Sequence, residues 1–309
     1  MKPQDVQKAA RKKLLNFISA LDEYSHSAVD EWKPDAKIIW QEGSTRILDY
    51  GGKGRELLIM PPLINRANIL DMGNKSFVKF LKEKGFRPLL VDWQRPGREE
   101  KDFTSEDYTR RMVDFCKTLK RAPIIIGYCM GGVFAMKLAV KINPRALVLM
   151  ATPYEFKNNF AITRRDFESY FESMEFVPPE FISSMFAYAD MFSVYDKFST
   201  LSSLDARRKK EFCNVEYWVN NGVPMTVPLA RECIIDWVFD KDIGVDASEI
   251  KCKTLVACAM QDKIVPLSTS LPLVAVIENA DLLKLNSGHI GIITKQLVHE
   301  PLVEWLNKI

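Results

Sequence analysis

The residue of this sequence most suited to chemistry is a cysteine between two glycines. Gly127, Cys129 and Gly131 form a Gly-x-Cys-x-Gly pattern, and Gly132 follows directly. The apolar run Ile124–Ile126 before the pattern is typical of a buried strand, and the apolar residues after it have the spacing of a buried helix. This is the pattern of a nucleophile elbow with cysteine in place of serine, and its strained turn requires small neighbours. We expect the N-terminus of the helix to favour the thiolate form of Cys129.

A cysteine between glycines can also be a small buried apolar residue, so the nucleophile interpretation requires a base elsewhere in the chain. The sequence contains three histidines. His289 follows a predicted strand and precedes the last predicted helix. His26 and His299 lie in predicted surface helices, where we expect a histidine to be exposed to solvent. His289 is therefore the predicted base for the thiol.

The base in turn needs an acid that fixes its tautomer. Asp262 lies in the turn after the predicted strand Thr254–Ala259. A turn aspartate can instead bind its own local backbone, and Asp240 and Asp281 are rival candidates at less suitable ends of their elements. In the α/β-hydrolase layout the nucleophile, the acid and the base follow in that order along the chain. Asp262 satisfies this order, and we predict that it is the acid.

Acyl transfer also requires backbone donors for the oxyanion that forms on the attacked carbonyl. One donor is expected to be the N–H of Met130, the residue after the cysteine. The second is expected from the loop Pro62–Asn65, after an earlier strand, with Ile64 as the candidate.

Predicted strands and helices alternate through most of the chain, which favours a mostly parallel sheet with helices on both faces. The predicted fold class is the α/β-hydrolase fold with an inserted helical cap. The segment from Tyr154 to Asp240 is rich in aromatic residues and has no clear strand, and it is predicted to be that cap. The predicted domains are an N-terminal amphipathic helix (1–30), a core (31–153 and 241–309) and a cap (154–240), and Lys295–Lys308 is the predicted closing helix.

The composition is that of an ordinary globular protein, with 47% hydrophobic and 27% charged residues. A formal net charge of +3 over 309 residues gives no argument for nucleic-acid binding. No segment approaches the roughly 20 apolar residues of a membrane span, and no secretory signal is recognised. The cysteines form no Cys-x-x-Cys pair, so we predict a reduced, cytoplasmic protein without a metal site; they are Cys116, Cys129, Cys213, Cys233, Cys252 and Cys258.

The predicted N-terminal helix has an apolar face formed by Leu14, Leu15, Ile18 and Leu21. This face is expected to dock on the protein's own domain. The alternative is that it binds a partner or an apolar surface.

The sequence resembles the catalytic subunit of polyhydroxyalkanoate synthases, and specifically the short type that works with a second subunit. The resemblance covers the chain from about Leu57 to the C-terminus, and its most specific parts surround Cys129 and His289. The matching segments are Pro61–Arg66 with Ile69–Asp71, Asp92–Trp93 with Pro96, Gly127–Gly132, Thr152–Pro153 with Phe156, Glu216–Trp218, Asp262 with Ile264–Pro266, and Ser287–Gly291.

The resemblance implies an acyltransferase that polymerises short-chain 3-hydroxyacyl-CoA through a thioester on Cys129 and releases CoA. His289 would deprotonate the thiol, and Asp262 would orient His289 or help to activate the substrate hydroxyl. The CoA thioester is the substrate, and no cofactor is implied. The implied partners are the growing polymer or granule surface, a possible second synthase subunit and further copies of the chain.

Two features depart from the family pattern. Lys263 follows the predicted acid where family members often have histidine, and the chain is somewhat short even for the two-subunit type. Two other functions therefore stay open. The first is a cysteine-dependent thioesterase or ester hydrolase of the same fold, and the second is a binding protein that keeps the fold without turnover.

Overall fold

The computed structural model describes residues 3–156, 163–189 and 191–309, so that residues 157–162 and 190 of the predicted cap lie outside the described residues. The chain divides into two compact units. Unit 1 comprises the described residues of Met1–Trp32 and Glu180–Gly222, and unit 2 comprises those of Lys33–Pro179 and Val223–Ile309. The boundaries between the units after Pro179 and after Gly222 both fall inside the predicted cap (154–240). The domain boundaries inferred from the sequence stay a prediction.

The strands found among the described residues are β1 Lys37–Glu42, β2 Thr45–Asp49, β3 Glu56–Met60, β4 Arg87–Asp92, β5 Ile124–Tyr128, β6 Ala146–Met150, β7 Phe176–Val177, β8 Met225–Thr226, β9 Lys253–Ala259 and β10 Ala280–Leu285. Eight of them form one sheet in unit 2, in the order β1-β2-β4-β3-β5-β6-β9-β10. The pairs β1–β2 and β2–β4 are antiparallel, and the other pairs are parallel. The short strands β7 and β8 pair separately.

The α-helices found among the described residues are α1 Pro3–Ser25, α2 Phe77–Glu83, α3 Ser105–Lys117, α4 Met130–Ile142, α5 Arg164–Phe171, α6 Pro179–Ala189, α7 Met191–Ser199, α8 Ala206–Asn220, α9 Val227–Arg231, α10 Leu267–Ser270, α11 Pro272–Val276, α12 Gly291–Thr294 and α13 His299–Leu306. A π-helix spans Glu232–Asp240. Short 3-10 helices span Ala67–Asp71, Gly73–Lys75, Arg98–Glu100, Leu201–Ser203 and Ala247–Glu249. No helix in this part of the chain is both long and apolar enough to cross a lipid bilayer.

The predicted fold class is confirmed by this mostly parallel sheet with its helices. Strands β5 and β6 are buried at every position, as expected for parallel strands covered on both faces. Because parallel strands point the same way, the loops that follow β3, β4, β5, β9 and β10 all leave the sheet at its carboxyl edge. Loops that follow parallel strands in this way commonly form the active site of an α/β protein.

The structure differs from the sequence-based expectation at two elements. The closing helix predicted at Lys295–Lys308 is shorter, because α13 spans only His299–Leu306 and α12 ends at Thr294, before the predicted start. Gln296, which lies between the two helices, has a left-handed backbone with φ 58° that does not continue a helix. The segment predicted to lack strands contains β7 and β8, each two residues long. Such short pairings leave no detectable alternation in a sequence.

Unit 1 contains α1, which packs against α7 within that unit. A small apolar cluster joins Ala20 to Phe198 and Leu201, with Phe17 and Tyr24 packed against it. The leucines and the isoleucine of the apolar face predicted for α1 are exposed instead, with Leu15 57% and Ile18 53% exposed. The helix therefore uses its aromatic face for internal packing.

Candidate active site

Cys129 occupies a sharp turn between β5 and α4. Its backbone has φ 54° and ψ −128°, a region that residues with a side chain rarely adopt. The N–H of Cys129 donates a hydrogen bond to the Met150 carbonyl on the neighbouring strand β6, at 2.9 Å. The side chain is half-buried. The strained turn therefore holds the thiol in an accessible position directly before the first turn of α4, where the helix dipole favours a negative charge.

Three glycines allow the elements around this turn to approach closely. A Cβ at Gly127 would lie 2.4 Å from the Cα of Gly132. A Cβ at Gly131 would lie 2.1 Å from the carbonyl oxygen of Met60, and one at Gly132 would lie 1.9 Å from Oγ1 of Thr152. All these distances are shorter than real Cβ contacts. The predicted need for small residues at Gly127 and Gly131 is thus confirmed, and Gly132 joins them.

His289 and Asp262 lie side by side at the carboxyl edge of the sheet. Nδ1 of His289 lies 2.7 Å from Oδ2 of Asp262, and both side chains are buried. The other oxygen of Asp262, Oδ1, accepts hydrogen bonds from the N–H groups of Ile264 and Val265 at 2.9 and 2.8 Å. The carboxylate is therefore fixed by its own loop and presents one oxygen to the imidazole.

The two loops that carry this pair are also bound to each other. The N–H of Met260 donates to the Leu285 carbonyl, and the N–H of Gln261 donates to the Ser287 carbonyl, each at 2.8 Å. These bonds continue the parallel pairing of β9 with β10 beyond the strand ends. The distance between the acid and the imidazole is therefore set by sheet geometry.

The pKa of His289 depends on both Asp262 and Cys129. Burial by itself lowers the pKa of His289, because a buried imidazole loses the hydration of its charged form. Electrostatic interaction with Cys129 and the hydrogen bonds to Asp262 and Cys129 outweigh this effect, and together they raise the pKa of His289 above its ordinary value of 6.5. This arrangement favours the protonated form of the imidazole, so that His289 can hold a proton taken from a neighbouring group.

Tyr128 is a site residue that the sequence interpretation missed. Its ring stacks on that of His289 with centroids 5.4 Å apart and an interplanar angle of 26°. Its hydroxyl donates to the His289 carbonyl at 3.2 Å. Tyr128 thus holds the imidazole at both its ring and its backbone. In the sequence Tyr128 could be noticed only because it is next to Cys129. Nothing in the sequence indicated that it contacts a loop 161 residues later.

The loop after β3 lies against the first turn of α4, since the Met60 and Pro61 carbonyls are the atoms that Gly131 approaches. Met130 is the first residue of α4, and the carbonyl of Ile64 accepts a hydrogen bond from Val223 at 3.0 Å. The structure thus places the start of the loop after β3 beside the first turn of α4. The donor roles of Met130 and Ile64 stay predictions.

The rival residues lie elsewhere. Asp240 forms an exposed ion pair with Arg164 at 2.6 Å, and Asp281, at the start of β10, accepts from the Trp305 indole at 2.7 Å. His26 is exposed. His299 was expected to be exposed, and this expectation is wrong, because α13 buries it to 2% exposure between the rings of Phe77 and Phe80.

Comparison with known proteins gives a family match and several relatives. A family model described as alpha/beta hydrolase fold matches residues 75–296. The chain is 26% identical to the poly(3-hydroxyalkanoate) polymerase subunit PhaC of Allochromatium vinosum, over 82% of this chain and 80% of that protein. It is 25% identical to the protein of the same name from Haloferax mediterranei, over 88% of this chain and 63% of that protein. The resemblance stated from the sequence motifs is confirmed by these relatives.

Solved structures support the fold. A bromoperoxidase from Bacillus anthracis superimposes with a TM-score of 0.60 at 18% identity, covering 85% of this chain and 96% of that one. An esterase from Exiguobacterium antarcticum gives a TM-score of 0.57 at 16% identity, covering 85% and 96%. At such low identity these similarities concern the fold alone.

Proposed function

The chain belongs to the α/β-hydrolase family, and within it we propose that the protein is an acyltransferase that polymerises short-chain 3-hydroxyacyl-CoA into polyhydroxyalkanoate. Growth proceeds through a thioester on Cys129 with release of CoA. The observation that carries the proposal is the half-buried thiol in a strained elbow beside a buried His289–Asp262 pair. The relatives named poly(3-hydroxyalkanoate) polymerase support the substrate class.

In the acylation step, the proton of the Cys129 thiol passes to His289. The thiolate attacks the thioester carbonyl of the substrate, forming an S–C bond and an oxyanion. As the oxyanion collapses, the bond to the CoA sulfur breaks and His289 returns the proton to the departing thiolate. Asp262 stabilises the imidazolium that forms between these two transfers. One thioester is exchanged for another, so the step requires no further reactant.

In the growth step, the hydroxyl group of one acyl unit attacks the thioester of another. An O–C ester bond forms, the S–C bond breaks, and His289 accepts the hydroxyl proton and returns it to the Cys129 sulfur. Sulfur suits this step because a thioester reacts readily with a positioned alcohol. A site that excludes water favours the alcohol over hydrolysis.

The test is incubation of the purified protein with 3-hydroxybutyryl-CoA, with free thiol and products both measured. Release of CoA together with polyester is the expected result. Release of CoA with free 3-hydroxybutyrate alone would support the alternative, a cysteine-dependent thioesterase or hydrolase of the same fold. The assay is run with and without lysate of the source cells, since a second synthase subunit is among the proposed partners.

We also propose that the protein associates with the surface of the polymer granule through α1, and that it self-associates. The support is the apolar face of α1 that includes Leu14, Leu15 and Ile18, which is exposed, and the neighbouring Lys8 and Arg11. Substitution of Leu15 and Ile18 by glutamate is expected to abolish co-sedimentation with granules while CoA release in solution is retained.

The proposed self-association is tested separately, by analytical ultracentrifugation of the purified protein. A monomer at all concentrations would contradict it.

A further inference from the structure

Three neighbouring parallel strands end beside one another at the carboxyl edge of the sheet. In the order β4-β3-β5, their following residues include Trp93, Pro61 and Cys129. The first of these residues has no part in the chemistry described above. Trp93 is nevertheless 3% exposed, and its ring packs against Tyr108 and Phe134 with centroids 5.7 and 5.6 Å apart. Because Phe134 belongs to α4, Trp93 is fixed relative to the helix that begins at the nucleophile.

The indole of Trp93 binds the loop after β3 at one specific group. Its Nε1–H donates a hydrogen bond to the Pro61 carbonyl at 3.1 Å. The same carbonyl oxygen would lie 2.5 Å from a Cβ at Gly131, in the first turn of α4. The Pro61 carbonyl therefore lies between the indole and the elbow helix. A change in its direction would move the loop relative to Cys129.

The two prolines at the start of this loop make the direction of the Pro61 carbonyl important for the backbone donors that follow. Pro61 and Pro62 have no N–H, so the first backbone donors after β3 are those of Leu63 and Ile64. The direction in which these donors point depends on how the proline pair leaves the strand. The far side of the loop is held separately, by the hydrogen bond from Val223 to the Ile64 carbonyl. Trp93 supplies the corresponding anchor on the near side.

We propose that Trp93 is a positioning residue for oxyanion stabilisation: its indole N–H fixes the Pro61 carbonyl and so directs the backbone donor of the following loop at the reacting carbonyl. This inference rests on the proposed acyl transfer through Cys129. It does not require that the acyl group be a 3-hydroxyacyl unit. A donor for the oxyanion contributes only when a tetrahedral intermediate forms.

The test compares two reactions of Cys129. Acylation by 3-hydroxybutyryl-CoA or by p-nitrophenyl acetate passes through an oxyanion, whereas alkylation by iodoacetamide does not. Trp93→Phe keeps an aromatic ring and removes the N–H. The matched control is Trp305→Phe, which removes an indole donor bound to Asp281 at the opposite end of the strands. Circular dichroism and thermal unfolding establish that both variants are folded.

We expect Trp93→Phe to lower the acylation rate at saturating donor at least tenfold, with KM changed less than twofold and the alkylation rate unchanged. Trp305→Phe is expected to leave both reactions at the wild-type rate. Equal losses in acylation and alkylation, or no loss in acylation, would overturn the inference. If the wild type reacts with p-nitrophenyl acetate but not with the CoA ester, the proposed substrate class fails and Trp93 is still tested. If neither donor acylates the wild type, both fail.

Discussion

Nδ1 of His289 lies 2.7 Å from Oδ2 of Asp262, although 27 residues separate them in the sequence. The pair is buried, while Cys129 is half-buried. In the proposed mechanism a substrate can therefore reach the sulfur, while the buried His289–Asp262 pair that would carry its proton is shielded from bulk water. Buried hydrogen bonds of this kind are strong because the local dielectric is low.

Substitution of Cys129, the proposed nucleophile, should remove the activity without unfolding the protein. Cys129→Ala is expected to abolish CoA release from 3-hydroxybutyryl-CoA and to leave the thermal unfolding temperature within a few degrees of the wild type, since the Cys129 side chain is only half-buried. Cys129→Ser is expected to retain a small fraction of the activity, because a hydroxyl is a poorer nucleophile at neutral pH. Retained activity in the alanine variant would reject the thiol mechanism.

The carboxylate of Asp262, the proposed acid, can be replaced by an amide of nearly the same size. In Asp262→Asn, the amide oxygen can still accept from Ile264 and Val265, but an NH₂ group then faces Nδ1 of His289. This favours the wrong imidazole tautomer. The expected result is a fall in kcat of about 10⁴-fold, the order seen when a triad acid is replaced by its amide. Stopped-flow measurement of CoA release tests this, and a loss below tenfold would indicate that the carboxylate only organises its loop.

The interaction of His289 with Cys129 should be visible in the titration of His289. Burial lowers the pKa of His289, and Cys129 with Asp262 raises it to about 10 overall. Because this value lies above the ordinary 6.5, the interaction stabilises the folded state fully below about pH 6.5 and is lost as the pH rises through about 10. In Cys129→Ala the pKa of His289 is expected to fall. NMR titration of the imidazole measures this, and an unchanged pKa would contradict the interaction of Cys129 with His289.

The glycine after the elbow should tolerate no side chain. In Gly131→Ala the new Cβ meets the Met60 and Pro61 carbonyls, which are backbone atoms that cannot rotate away. We expect a loss of about 1–3 kcal/mol in the free energy of unfolding and a loss of most activity. Gly288→Ala is the control beside His289, because its nearest contact, Gln261 O, lies at 3.6 Å. Urea denaturation distinguishes the two, and equal stabilities would contradict the close packing.

Particular residues illustrate what the sequence could predict. The strand predicted at Thr254–Ala259 is found as β9 Lys253–Ala259, and the apolar run Ile124–Ile126 lies in β5 Ile124–Tyr128, because a short run of buried residues is typical of a parallel strand. Cys129 and its glycines could be found because an elbow restricts residue types at fixed spacing. The spacing of residues along one strand does not indicate which distant loop an aromatic side chain will contact.

For the same reason, the contact of Tyr128 with His289 and that of Trp93 with Pro61 appeared only in three dimensions. The π-helix Glu232–Asp240 likewise has no spacing by which it could be distinguished from an α-helix in the sequence. The pattern of a terminal helix also did not reveal that His299 points inward.

His299 provides a prediction on acid stability that is independent of the active site. Among the described residues neither of its ring nitrogens has a hydrogen-bond partner, and burial lowers its pKa to about 4, although the adjacent Glu300 opposes the shift. Between the ordinary pKa of 6.5 and this value the unfolded chain binds the proton more tightly, so the folded state loses stability as the pH falls through this window. The loss at this site amounts to about 3–4 kcal/mol when complete, since each pKa unit corresponds to about 1.4 kcal/mol.

His299→Phe removes this titration and places a third ring beside Phe77 and Phe80. The variant is therefore expected to lose less stability than the wild type between pH 7 and pH 4.5, with CoA release at pH 7 unchanged. Urea denaturation at the two pH values measures the difference, and subtraction of the wild-type curve removes the contribution of every other titrating group. A variant whose stability falls with pH as steeply as that of the wild type would mean that His299 is solvated or paired in solution. Its burial between the two phenylalanine rings would then be wrong.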